Sequence, residues 1–163
     1  MPYLNNQFDY PNAHMRKIYL IAAAFCLFSF SGWHYNLDEA KEIAQKSHKL
    51  ILLNFSGSDW CGPCIRMHKE IFESHSFAGF ADSSLVLVNA DFPRMKKNQL
   101  SAAQQNLNNK MADQYNSQGK FPYTILLDDH GNALRDWDGF TNEKPDQFIQ
   151  EILPFIPSQK PAP

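Results

Sequence analysis

The chain has few cysteines and few glycines, three and seven among its 163 residues. Three cysteines cannot build the disulfide framework that holds together a small secreted domain without a core. A glycine-rich phosphate loop is absent, and no Ser-His-Asp arrangement is recognisable. An excess of one charge sign is also missing, because the formal net charge is -2, so no surface for nucleic acid is expected. Apolar residues make up 44% of the chain, which is typical of one globular domain.

A long hydrophobic run is missing as well. The longest apolar stretch, Ile18 to Phe30, has about thirteen residues, whereas a transmembrane helix needs about 20. The basic pair Arg16-Lys17 precedes it, and small residues stand at the cleavage spacing before Gly32. This pattern predicts a secretory signal peptide from Met15 to about Ser31, and therefore export, in a bacterium to the periplasm.

The N-terminal region leaves alternatives open. Met15 is either the true start or follows a short cytoplasmic tail, and the apolar run is either cleaved, kept as a membrane anchor, or buried as a core helix. Cys26 lies inside this run, so cleavage would leave Cys61 and Cys64 as the remaining thiols. We predict an N-terminal extension plus signal peptide over residues 1–31, one domain over residues 32–157, and a flexible tail over residues 158–163.

Hydrophobic periodicity predicts an α/β fold with a mixed sheet. Buried apolar runs predict the early strands, which should be parallel, and a hairpin with Gly131 in its turn predicts an antiparallel edge. The predicted order is a helix at Leu37–His48, a strand at Leu50–Phe55, a helix from Cys61 to about Phe72, a strand at Leu85–Asn89, a helix at Leu100–Tyr115, strands at Tyr123–Leu127 and Ala133–Trp137, and a helix from Pro145 to about Ile156.

Two of the cysteines lie close together in Ser58 to Arg66, SDWCGPCIR. The pair stands between a predicted buried strand and the following helix, at the edge of the sheet where α/β proteins form sites. Backbone N–H groups and the dipole at a helix N-terminus favour a thiolate, so Cys61 is the expected nucleophile. Cys64 lies one turn further on and can resolve a mixed disulfide from within the chain. Gly62 keeps the turn uncrowded, and Pro63 suits a first helical turn.

Other roles for the pair remain open. Zinc could take Cys61 and Cys64 together with His68, on the same helix, and His75, which is expected in a loop near the helix end. A structural disulfide with a two-residue spacer would crosslink very little chain. We favour neither alternative and predict no metal site. A binding module without turnover, or a carrier that passes copper between thiols, is the main competing function.

Trp60 to Cys64, WCGPC, is identical to the active-site motif of thioredoxins, and the chain resembles the thioredoxin superfamily. A second match is Gly119 to Ile125, GKFPYTI, which resembles the family's loop in which a cis proline faces the cysteines. Over Leu37 to Ile156 the resemblance implies a thioredoxin fold, a cis peptide bond at Pro122, and a Phe121 backbone that pairs with substrate. With its longer polar segment from Arg94 to Gln118, the chain resembles exported bacterial thioredoxin-like proteins more than the small cytosolic thioredoxins.

The resemblance also implies an activity, that of a thiol-disulfide oxidoreductase that reduces or isomerises disulfides of exported proteins. It would act as a monomer, without a cofactor, and a membrane or periplasmic electron donor would reduce it again. The Gly-Pro dipeptide between the cysteines is similar to that of the reducing members. The catalytic residues would be Cys61 and Cys64, and the substrate surface would comprise Trp60, Gly62, Pro63, Phe121 and Pro122.

One position departs from the family pattern. Thioredoxins carry a buried Asp in the strand before the motif, where it helps proton transfer to the resolving cysteine. The matching residue here is Asn54, with one extra residue in the loop that follows. An amide cannot act as a base, and Asp59 is expected in the loop near the surface, so the proton-transfer group stays unassigned.

Overall fold

The structure is a computed structural model that describes residues 32–140 and 142–156. The predicted extension, signal peptide and flexible tail lie outside the described residues. Within the described ranges, no helix combines the length and the apolar character that a bilayer crossing requires.

Four strands form one mixed sheet in the order β2-β1-β3-β4. β1 and β2 are parallel, whereas β3 runs antiparallel to both β1 and β4. The predicted mixed sheet with an antiparallel edge is therefore confirmed. The strands are β1 at Leu50–Ser56, β2 at Leu85–Asp91, β3 at Tyr123–Leu127 and β4 at Ala133–Asp138.

Five α-helices pack on this sheet in the described part of the chain. A π-helical segment, His68–Phe72, continues α2, and short 3-10 turns lie at Lys96–Asn98 and Leu153–Phe155. The helices are α1 at Leu37–Ser47, α2 at Gly62–Met67, α3 at His75–Ser84, α4 at Ala102–Tyr115 and α5 at Pro145–Ile152.

The helix α3 was not predicted from the sequence, and the prediction that His75 lies in a loop is wrong, because His75 is the first residue of that helix. Ser74 caps α3, with its hydroxyl accepting a hydrogen bond from the backbone N–H of Phe77 at 3.3 Å. Phe77 and Ala81, four residues apart on one face, are both buried. The helix is therefore held by its cap and by tertiary packing.

The core lies on both faces of the sheet because the strand residues alternate. Ile51, Leu53 and Phe55 of β1 pack with α1 and α4, whereas Leu50 and Leu52 face the opposite way. The second side is covered by the segment from α2 through α3 and by α5. Its buried residues include Met67, Ile71, Phe72, Phe77, Ala81, Phe148 and Ile152.

Candidate redox-active site

The cysteine pair lies at the junction of the loop after β1 with α2. Cys61 is the N-cap of α2, and its Sγ accepts a hydrogen bond from the backbone N–H of Cys64 at 3.2 Å. The two residues form a disulfide with their Cα atoms 5.2 Å apart. Both are buried, with 5% and 4% of their surface exposed, so burial does not distinguish them. The cap position favours Cys61 as the nucleophile, because a thiolate there receives a backbone N–H.

The inner face of α2 carries the resolving cysteine. Cys64 and Met67 are its buried residues, and Ile71 continues this face into the π-helical segment. Ile65, on the outer side, is 47% exposed. The helix therefore presents the resolving cysteine to the sheet. Gly62 and Pro63 occupy the exposed first turn between the two cysteines.

Trp60 directly precedes Cys61 and is fixed by its neighbours. Its indole Nε1 donates a hydrogen bond to the carbonyl of Phe92 at 2.7 Å. The ring also covers Gly57, where an added Cβ would lie 2.7 Å from the indole Cζ2. Only glycine leaves room for this packing, so the loop before the cysteines is shaped around the indole.

The loop with the predicted cis proline lies beside Trp60 of the cysteine motif. The peptide bond between Phe121 and Pro122 is cis, as predicted. The ring centres of Trp60 and Phe121 lie 5.4 Å apart, and those of Phe92 and Phe121 lie 5.6 Å apart. We call Trp60, Phe92 and Phe121 the aromatic rim. Phe92, which directly follows β2, was not among the predicted site residues.

Asn54 occupies a buried position on the face of β1 that carries Leu52, below α2. Its Oδ1 accepts a hydrogen bond from the hydroxyl of Thr124 at 3.0 Å, and its Nδ2 donates to Oδ1 of Asn89 at 3.4 Å. The Thr124 hydroxyl also lies 3.9 Å from the sulfur of Met67 on α2. An amide therefore stands below the helix of the cysteine pair, and both of its polar ends are paired.

Asp59 is half-buried, and its carboxylate anchors a neighbouring loop. It accepts hydrogen bonds from the backbone N–H groups of Arg94 and Met95 and from Nδ2 of Asn98, each at 2.9 Å. The pKa of Asp59 lies below its usual value, chiefly because the backbone N–H of Arg94 donates a hydrogen bond to the carboxylate. Partial desolvation raises this pKa, and the hydrogen bonds from Asn98 and Met95 lower it further. No local pattern indicates these contacts, because the partners stand 35 to 39 positions apart in the sequence.

The residues considered for zinc do not form a cluster. Among residues 32–140 and 142–156, no group of three or more His, Cys, Asp or Glu side chains could hold a metal ion. His68 instead lies 3.5 Å from the carboxylate of Glu73, and its ring lies 5.9 Å from that of Trp33. His75 begins the next helix.

Comparison with known proteins identifies related chains. Residues 37–154 match the family described as a thioredoxin-like domain. The chain is similar to the disulfide bond reductase DsbH of Chlamydia pneumoniae, with 40% identity over 96 residues, which is 59% of this chain and 56% of that protein. It is also similar to the thioredoxin-related protein DsbJ of the same organism, with 31% identity over 111 residues, 68% of this chain and 31% of that protein.

Similarity extends to solved structures. One described as DsbH oxidoreductase is 33% identical, has a TM-score of 0.67, and covers 74% of this chain and 81% of its own. The matched region spans about half of the curated DsbH relative and less of DsbJ, at 56% and 31%.

Proposed function

The chain belongs to the thioredoxin-like domain family, and on this premise we propose that it is a thiol-disulfide oxidoreductase of exported proteins. The observation that carries the proposal is the Cys61–Cys64 disulfide at the start of α2, with Cys61 in the cap position. A binding module would need neither two cysteines within bonding distance nor a backbone N–H aimed at one of them. Similarity to a protein named a disulfide bond reductase supports the reducing direction.

The reaction follows from this geometry. The thiolate of Cys61 attacks one sulfur of a substrate disulfide, and the other substrate sulfur leaves as a thiolate that takes up a proton. Cys64 then loses its proton and attacks Sγ of Cys61 in the mixed disulfide, which expels the second substrate thiolate. Two electrons have passed to the substrate, and the chain holds the Cys61–Cys64 disulfide. A membrane or periplasmic dithiol donor returns two electrons to the pair.

The substrate surface is formed by the aromatic rim together with the residues of the first helical turn. Trp60 and Phe121 lie beside each other, Gly62 and Pro63 are exposed, and Pro122, which follows Phe121 through the cis bond, is buried. An extended substrate segment would pair with the backbone of Phe121 and rest on the rings. The short basic and apolar N-terminal stretch supports export to the periplasm as the setting of this reaction.

The test measures the redox couple and its use. The full chain carries Cys26→Ser, so that every thiol counted belongs to Cys61 or Cys64, and is equilibrated with a dithiothreitol or glutathione series. We expect a reversible two-electron couple, and insulin reduction that Cys61→Ser abolishes. Cys64→Ser should instead accumulate a mixed disulfide, because the resolving sulfur is missing. A couple without turnover would favour the binding module or copper carrier over the enzyme.

A further inference from the structure

A short basic loop, Arg94 to Asn98, lies beside the redox site in the connection between β2 and α4. It contains three cationic residues and no acidic one, and all of its residues are exposed. Among the described residues, no carboxylate oxygen lies within the 4.0 Å of an ion pair from the side-chain nitrogens of Arg94, Lys96 or Lys97. The positive charges of this loop are therefore not neutralised by the described part of the chain.

Asp59 fixes the loop to the redox site. This residue stands two positions before Cys61, and its carboxylate binds two backbone N–H groups and one side-chain amide of the loop. All three donors lie at hydrogen-bond distance, so the carboxylate binds these amide groups, and within the described residues it forms no ion pair with Arg94, Lys96 or Lys97. The loop thus has a defined position relative to the cysteines.

Arg94 carries this charge onto the substrate surface. Its guanidinium carbon lies 3.6 Å from the ring centre of Trp60, the residue next to Cys61. A guanidinium stacked on an indole keeps its full charge, and the N–H groups at its edge stay able to bind a carboxylate. The indole is itself held by the carbonyl of Phe92, so Arg94 rests on a fixed ring.

Two acidic residues that adjoin the aromatic rim in the sequence, Asp59 and Asp91, accept hydrogen bonds from within the chain. Oδ1 of Asp91 accepts the backbone N–H of Ser58 at 2.8 Å, and Oδ2 accepts the Ser58 hydroxyl at 2.6 Å. Asp59 accepts hydrogen bonds from the basic loop. A substrate on the aromatic rim therefore meets the guanidinium of Arg94 at Trp60, while these two carboxylates are bound to internal donors.

We propose that the basic loop makes the enzyme select disulfides flanked by acidic residues, with Arg94 binding a substrate carboxylate while the substrate lies on the aromatic rim. This proposal rests on the proposed function and names the substrate class for the same site. A protein segment is the occupant because the loop borders the cysteines, where a disulfide-bearing chain must lie for the reaction to occur.

The experiment compares two disulfide peptides of the same length and cysteine context, one flanked by Glu and one by Gln. The full chain with Cys26→Ser turns each over with dithiothreitol as reductant. Because exposed charge pairs are weak individually, three cations should favour the acidic peptide about fivefold to tenfold in kcat/KM at low salt. The preference should lie in KM and should fall as salt rises toward 1 M, where charges more than about 3 Å apart are screened.

Three variants locate the effect. Arg94→Glu should bring the ratio of the two kcat/KM values to about one or below, and Arg94→Lys should keep most of it because the charge remains. Lys110→Glu is the matched control, since it makes the same change of charge at an exposed residue of α4 and should keep the full ratio. Equal turnover of both peptides by the unaltered chain would overturn the proposal, and so would an equal loss of preference in Lys110→Glu.

A binding measurement separates this proposal from the proposed function. Labelled versions of both peptides with serine in place of cysteine are titrated with the oxidised chain, and anisotropy reports their affinity. Turnover of both peptides without any preference would refute the acidic selection alone. Preferential binding of the acidic peptide without any turnover would refute the oxidoreductase and leave a binding surface for acidic segments. If neither turnover nor preferential binding is observed, both the oxidoreductase function and the acidic selection are refuted.

Discussion

Replacing Asn54 by Asp introduces the carboxyl group that the resemblance to thioredoxins implies at this position, and its effect on stability follows from the contacts of Asn54. Asn54 is 4% exposed, so an aspartate there would be removed from water. The Thr124 hydroxyl would still donate to it. The amide hydrogens that now reach Asn89 Oδ1 would be gone, and two oxygens would face each other unless the aspartate is protonated.

The magnitude follows from the pKa of the new carboxyl group. A buried carboxyl group can rise by up to 3–5 pKa units, and the single donor Thr124 offsets part of that. A rise of about 2–3 units corresponds to about 3–4 kcal/mol, since one unit is ~1.36 kcal/mol. Because this pKa is higher in the folded state than in the unfolded state, the cost is absent below about pH 4. It grows as the pH rises and is complete above the folded-state pKa.

Urea unfolding of the oxidised chain at pH 4 and pH 8 measures this difference. At pH 4 the protonated Asp can donate its hydroxyl hydrogen to Asn89 and accept from Thr124, so the variant should nearly match the parent. At pH 8 it should lose about 3–4 kcal/mol, a large part of the roughly 5–15 kcal/mol typical of a domain. The control is Asn106→Asp, an identical change at an exposed position of α4, which should show almost no pH-dependent difference. An Asn54→Asp variant as stable as the parent at both pH values would refute a dry, fully paired site.

Two further predictions concern the loop before the cysteines and its anchor. Gly57→Ala should lower the free energy of unfolding by about 1–3 kcal/mol, because the new Cβ would meet the indole of Trp60. Gly79→Ala, in α3 with no atom within 4 Å of the added Cβ, should leave stability unchanged or raise it in the same urea titration. The amide NMR signals of Arg94 and Met95 should shift as Asp59 is protonated, with a midpoint below the ordinary Asp value of about 3.9, because hydrogen bonds lower this pKa. The basic loop loses this contribution to its stability as the pH falls through that midpoint, and a midpoint at or above 3.9 would contradict the anchoring role.

The sheet could be predicted from local pattern alone, and one helix could not. Two continuous apolar runs indicated β1 and β2, and β3 begins and ends where it was predicted, because runs bounded by turn residues carry their own signal. The helix α3 contains Gly79 and several serines, which weaken helical propensity. The sequence features that favour this helix are the Ser74 cap and the four-residue spacing of Phe77 and Ala81. These two residues stabilise the helix only when they pack against the rest of the domain.

The cysteine pair and the cis proline were accessible because they lie in short motifs, whereas the contacts around them are long-range. Nothing in the sequence near Asp59 indicates that its carboxylate will bind the chain at Met95 and Asn98. The stacking of Arg94 on Trp60 could not be predicted either, since it depends on how the connection after β2 packs against the loop after β1. Such pairs are set by tertiary geometry, and periodicity does not encode them.

The charged and polar side chains around the cysteine pair together favour an anionic substrate. The buried position below α2 holds a paired amide, and Asp59 and Asp91, beside the aromatic rim in the sequence, accept hydrogen bonds from the loops around it. The negative charge that appears during turnover forms on sulfur, where the backbone N–H of Cys64 meets it, and the guanidinium of Arg94 lies on the neighbouring indole. A carboxylate on the substrate can bind the Arg94 guanidinium without first displacing a carboxylate of the described residues. An amide in place of a carboxylate at residue 54 and the three cations of the basic loop thus act in the same direction, toward an anionic substrate at this site.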